Sequence, residues 1–110
     1  MPQFILLIRE DLTRYPMPDA QLQQIIALHS GWAKKLDARG ILRGGNGIPS
    51  EGKLLEMKAG QLVEGPIRDI KEGIGGFYII EAETLDAAVA IAKECPAYET
   101  GDSIEVRPLM

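Results

Sequence analysis

His29 is the only histidine in the chain, and a neutral imidazole near pH 7 is the side chain best suited to take or give a proton. It lies on an apolar stripe, so a core histidine hydrogen-bonded to a nearby group is the competing reading. A second concentration of chemistry falls between Glu64 and Gly76. There Arg68 and Lys71 can hold a carboxylate or phenolate, while Glu64 and Asp69 can accept a proton. The same stretch also reads as a plain turn, with Gly65-Pro66 for the bend and its charges in water. Arg43, beside Gly44-Gly45-Asn46-Gly47, can line a pocket or sit exposed. That glycine run is no phosphate loop, because no Gly-Lys-Ser/Thr follows and Pro49 blocks an immediate helix. Cys95, the single cysteine, falls at a helix C-terminus where the dipole disfavours a thiolate, so it reads as a small buried hydrophobe. One histidine, one cysteine and scattered acids give no metal-ligand spacing, and neither a metal nor a cofactor is expected.

These groups need elements to hold them. Phe4-Ile5-Leu6-Leu7-Ile8 and Phe77-Tyr78-Ile79-Ile80 are uninterrupted apolar runs, expected as central strands covered on both faces. A helix of about twenty residues is expected to open at Met17-Pro18-Asp19, with Pro18 in its first turn, and to close at Gly40. Its inward stripe is Leu22, Ile25, Ile26, His29, Trp32, Ala33 and Leu36. A short strand from Ile41 runs into the glycine-rich bend. Lys53 to Lys58 and Gln61 to Glu64 flank Ala59-Gly60 as a tight hairpin of edge strands. Thr84 caps a second helix whose inward stripe is Leu85, Ala88, Val89 and Ala92, and Pro96 stops it. The last strand is Ser103 to Leu109, with Ile104 and Val106 facing one way and Glu105 and Arg107 the other.

The sum is one α+β domain over residues 1–110, a ferredoxin-like βαββαβ sandwich with an extra hairpin. Two helices cover only one face of such a sheet, yet both central strands are apolar on both faces. A second copy packing sheet to sheet is therefore expected, giving a homodimeric α/β barrel. A chain of 110 residues with 45% hydrophobic and 25% charged residues is globular, which excludes wholesale disorder and a coiled coil. A net charge of −4 is the wrong sign for a generic nucleic-acid or anionic-membrane binder. The early apolar run spans five residues before Arg9, so neither a leader nor a membrane span is expected. One cysteine makes no disulfide framework, and the cytoplasm is the expected compartment.

The segment from Glu64-Gly65-Pro66-Ile67 to Gly75-Gly76-Phe77-Tyr78 resembles the YCII-related family, in particular its DGPF-motif branch, where Asp-Gly-Pro-Phe precedes Gly-Gly-Phe-Tyr. The resemblance extends to the opening strand, the helix end at Ala38-Arg39-Gly40, Leu85-Asp86-Ala87-Ala88, Cys95-Pro96 and the closing Glu105-Val106-Arg107-Pro108-Leu109. Glu64 stands for the family's Asp, Ile67 for its Phe, Arg68 for Ala, Asp69 for Glu and Ile70 for Thr. The resemblance implies a dimeric ferredoxin-like α/β barrel and two roles. One is small-molecule catalysis through a His-Asp dyad, as in a related dehydrochlorinase of a chlorinated hydroquinone. The other is a ligand-sensing or accessory module linked to a sigma factor. His29 occupies the family's histidine position. Asp37 is the nearest downstream acid, one residue before Ala38, where the family's Asp aligns. Eight residues of regular helix is about 12 Å of rise, so the two meet only if the helix end unwinds. The expected enzyme is cofactor-free. It abstracts a proton, isomerises or eliminates on an oxygenated ring or small acid, with His29 in a pocket between helix and sheet and the 64–72 loop as rim.

Overall fold

The computed structural model describes residues 1–67 and 73–110. Strand β1 (Gln3–Glu10) runs antiparallel between β5 (Gly73–Glu81) and β6 (Ser103–Pro108), and β2 (Leu42–Gly47) pairs with β5 on its far side. The order β2-β5-β1-β6 puts the two apolar runs at the centre of the sheet, as their composition requires. Because successive strand side chains point to opposite faces, Phe4, Leu6 and Ile8 of β1 and Tyr78 and Ile80 of β5 go under the helices and are buried. Ile5, Leu7, Phe77 and Ile79 go the other way. They sit in register, Ile5 opposite Ile79 and Leu7 opposite Phe77, half-buried and outside the core cluster.

Helix α1 (Asp19–Ala38) ends as expected. Gly40 takes φ 73, its N–H donates to the Asp37 carbonyl at 2.9 Å, and the Ile41 N–H donates to the Leu36 carbonyl at 3.2 Å. This paired closure needs a left-handed residue, which glycine supplies without Cβ strain. Pro18 lies one position outside the expected first turn: its ψ of 140 is extended, and the helix begins at Asp19. The buried stripe is also narrower than expected. Trp32 and Leu36 are buried and Leu22, Ile25, His29 and Ala33 half-buried, but Ile26 is 47% exposed. One step from Ile25 is about 100° of helix rotation, which carries Ile26 past the sheet.

The run Gly44-Gly45-Asn46-Gly47 is not a bend. After a bulge between Leu42 and Gly44, it continues β2, with Gly45 opposite Tyr78 and Asn46 opposite Phe77. A Cβ at Gly45 would lie 2.8 Å from the Phe77 carbonyl oxygen, so strand pairing this close requires glycine. Strands β3 (Leu54–Lys58) and β4 (Gln61–Gly65) form the expected tight hairpin. Ala59 and Gly60, at φ 49 and 78, make the primed turn that suits the strand twist. The pair is a separate two-stranded sheet, however, and not an edge of the main one.

The Thr84 hydroxyl accepts from the Ala87 N–H at 3.1 Å and starts α2 (Leu85–Ala92). Ala88 and Ala92 are buried, whereas Leu85, in the first turn, is 47% exposed, outside the expected inward stripe. A 3-10 turn, Pro96–Thr100, follows, and Gly101 at φ 81 swings the chain into β6. Ile104 and Val106 pack against the core. The whole is the ferredoxin-like α+β arrangement, with both helices on one face of the sheet. No described helix is long and apolar enough to cross a membrane.

Candidate functional site

A cavity of about 280 Å³ opens where α1 crosses the inner face of the sheet. The helix layer contributes Ile25, His29, Ser30 and Ala33, the sheet layer Ile8, Glu10, Gly75 and Tyr78, and Tyr15 and Asp102 close one end. β2 presents Gly45, Asn46 and Gly47 there, and its small residues keep that side open.

His29 Nδ1 lies 2.7 Å from the Tyr78 hydroxyl oxygen, and that hydroxyl is 3.3 Å from the His29 carbonyl oxygen. The two contacts are satisfied together when Nδ1–H donates to Tyr78 and Tyr78 O–H donates to the carbonyl. This tautomer leaves the lone pair on Nε2. The rings stack at 5.9 Å with a 25° tilt, and Trp32 meets the other side of Tyr78 edge-on at 4.9 Å and 84°. Burial lowers the His29 pKa from its usual value, with the charge of Asp102 opposing, so the ring is neutral at pH 7. Burial drives the Tyr78 phenol far above its ordinary range, and Cys95 adds to the rise, so Tyr78 stays protonated.

The acids come from places with weaker local signals. Glu10 continues the inward rhythm of Phe4, Leu6 and Ile8 and is buried. A bulge in the β1/β5 register falls between Ile8 and Arg9, and a Cβ at Gly75 would run into the Glu10 carboxyl. The Tyr15 hydroxyl donates to Glu10 Oε1 at 3.1 Å. Burial raises the Glu10 pKa. The Tyr15 hydrogen bond opposes this, Asp102 adds to it, and Arg14 opposes it last. Arg14, just after β1, donates to Asp102 Oδ1 at 2.5 Å and to the Thr100 carbonyl at 2.8 Å, and reaches Glu10 Oε2 only at 3.4 Å. The Thr100 hydroxyl donates to Asp102 Oδ2 at 3.0 Å. Together these bonds tie the start of β1's exit loop to the start of β6.

Of the residues singled out in the sequence, His29 is in the cavity. Asp37 is exposed and is not among the described residues that line it. The helix stays regular to Ala38, so the eight-residue rise separates the two side chains, and the acids brought to the histidine's cavity are Glu10 and Asp102. Arg43 grips Glu81 with a two-pronged pair at 2.9 and 3.0 Å and donates to the Leu42 carbonyl, away from the cavity. Glu64 pairs with Lys53 at 3.0 Å on the hairpin, also away from it. Arg68, Asp69 and Lys71 lie outside the described residues. Sequence reasoning missed Glu10, Arg14, Tyr15, Tyr78 and Asp102. Glu10 and Tyr78 had a legible signal, each being the polar member of an otherwise apolar inward series. Among the described residues no group of three His, Cys, Asp or Glu is placed to hold a metal ion. Cys95 is buried and unpaired, its thiol pushed up to about 11 by burial.

Fold and site define a ferredoxin-like α+β protein with a histidine, two tyrosines and two carboxyl groups converging on one cavity. The model of the YCII-related domain matches residues 11–110, and the chain belongs to that family. Among solved structures it is similar to the 5-chloro-2-hydroxyhydroquinone dehydrochlorinase of Burkholderia phenoliruptrix AC1100, in complex with 2,5-dihydroxybenzoquinone. The identity is 22% and the TM-score 0.50, over 98% of this chain and 93% of that one, a likeness of fold. No curated protein sequence matches.

Proposed function

We propose that the protein is a cofactor-free small-molecule enzyme, or an enzyme-like binder, that moves a proton on a small hydroxylated ring. The observation that carries this reading is His29, held through Nδ1 at 2.7 Å by the buried Tyr78 hydroxyl on the wall of a 280 Å³ cavity. A neutral imidazole with a fixed tautomer is a general base at pH 7, and the volume suits a single ring. Tyr78 positions the ring and stays protonated, while the Asp102 carboxyl offers an acceptor for a ligand hydroxyl. The fold-mate's quinone ligand supports a ring of this kind as the first class to test.

In this reading a second copy covers Ile5, Leu7, Phe77 and Ile79, and the working unit is a cytoplasmic homodimer of about twice 12.0 kDa. The Gly75-Gly76-Phe77-Tyr78 run supports membership of the DGPF branch. The test is a thermal-shift screen of wild type and His29→Ala against hydroquinone, catechol, resorcinol and 2,5-dihydroxybenzoquinone, with molar mass from light scattering. A ring that raises the melting temperature of wild type only is the expected result. If no ring shifts wild type and His29→Ala is merely less stable, the histidine is packing. The accessory-module reading, with a protein partner such as a sigma factor, then takes its place.

A further inference from the structure

Glu10 is an inward carboxyl in a series of inward hydrocarbons, and its surroundings differ from those of a structural ion pair. A carboxylate held for stability takes the short, charge-assisted contact with the nearest cation, at about 2.7–2.9 Å. Here Arg14 gives its short contacts to Asp102 and to the Thr100 carbonyl and stands 3.4 Å from Glu10. Of the two hydrogen bonds that Glu10 accepts, the shorter, at 3.1 Å, comes from a neutral phenol, Tyr15, and the longer, at 3.4 Å, from Arg14. Space for it is made by the bulge at Gly75, where any Cβ would collide with that carboxyl. Glu10 reaches the cavity from the sheet layer, whereas His29 reaches it from the helix layer. The groups around it are Tyr15, Arg14 and Asp102, with His29 across the cavity.

We infer that Glu10 is the second proton-transfer residue of this cavity, serving a ring carbon while His29 serves a ring hydroxyl. The inference rests on the proton-transfer reading above and adds the residue that completes it. On a dihydroxylated ring, Nε2 of His29 takes the O–H proton and the oxygen pair closes to C=O. The displaced ring π pair takes the proton from the Glu10 carboxyl at the neighbouring carbon. The products are the keto tautomer, a Glu10 carboxylate and an imidazolium. Reversal restores the ring, and no oxidant, reductant or co-reactant enters. In D2O, where the Glu10 proton is exchanged with solvent, each cycle can leave deuterium on carbon.

The experiment follows resorcinol in D2O by proton NMR, with the full chain present and absent. Wild type is expected to accelerate loss of the signals of the ring hydrogens next to a hydroxyl-bearing carbon, the hydrogen meta to both hydroxyls persisting, and His29→Ala and Glu10→Gln are each expected to lower that acceleration by about 100-fold. Gly75→Ala, whose Cβ displaces the Glu10 carboxyl without removing it, is expected to lower it as well, and this variant decides the matter if Glu10→Gln fails to fold. Exchange that needs His29 but is unchanged in a folded Glu10→Gln, or in Gly75→Ala, overturns the role of Glu10 and leaves that of His29 standing. No acceleration by wild type overturns both.

Discussion

Replacing Arg14 with methionine keeps its aliphatic stem and removes the guanidinium that ties three segments together. The guanidinium is held at 2.5 Å from Asp102, 2.8 Å from the Thr100 carbonyl and 3.4 Å from Glu10, and the Asp102 side chain is only 3% exposed. Breaking one side of a buried pair strands a carboxylate and costs about 3–5 kcal/mol. Arg14 is itself 28% exposed, so water already screens part of the interaction and the lower end applies, about 3 kcal/mol. For a chain of this size that corresponds to a fall in melting temperature of roughly 13 °C. The pH dependence has a definite sign. Glu10 has a raised pKa in the folded protein, so folding binds its proton more tightly and stability falls as the pH rises from the unfolded value through the folded one. Loss of Arg14 removes a cation that opposes this rise and steepens the fall. Urea denaturation at pH 5 and pH 7 therefore finds the larger deficit at pH 7. A deficit below about 1 kcal/mol, or one that grows on acidification, refutes the role of Arg14 as the cation that balances the buried Asp102 carboxylate.

Three further outcomes follow. Thr84→Ala removes the hydroxyl that accepts from Ala87 and is expected to cost about 1 kcal/mol in chemical denaturation. Leu36→Ala, at a fully buried position under the sheet, is expected to cost about 3 kcal/mol, and a cost near zero means that α1 does not pack as described. Asp37→Asn is expected to leave both stability and any ring-induced thermal shift unchanged, because Asp37 is exposed and outside the cavity. A clear effect on the thermal shift revives the His29–Asp37 pair.

How much of this was legible in the chain depends on whether the signal was local. Phe4 to Ile8 and Phe77 to Ile80 announced the central strands because an apolar run needs two covered faces, and Gly40 announced the helix end because only glycine sits easily at φ 73. The Ala59-Gly60 turn was readable for the same kind of reason. Gly44 to Gly47 was misread as a bend because flexibility alone does not distinguish a turn from a strand that must pass close to its neighbour's carbonyls. His29 was found because a lone histidine on an apolar stripe is conspicuous. Its surroundings were not, since Arg14, Thr100 and Asp102 meet through the β1/β6 pairing and are 86 and 88 residues apart in sequence for the two Arg14 contacts. Asp37 was the nearest acid along the chain, but along a helix nearness in sequence translates into rise and not into contact.

The proposed chemistry depends on His29 being a neutral base with its proton on Nδ1, facing the cavity. Nitrogen-15 NMR of the His29 imidazole across pH, repeated with a dihydroxylated ring added, tests this most directly. Titration below the ordinary histidine value of 6.5, a protonated Nδ1 with a bare Nε2 at pH 7, and a change in the Nε2 resonance when the ring binds are expected. A charged imidazole at pH 7, or nitrogens that respond to none of the four rings in the thermal-shift screen, would contradict it.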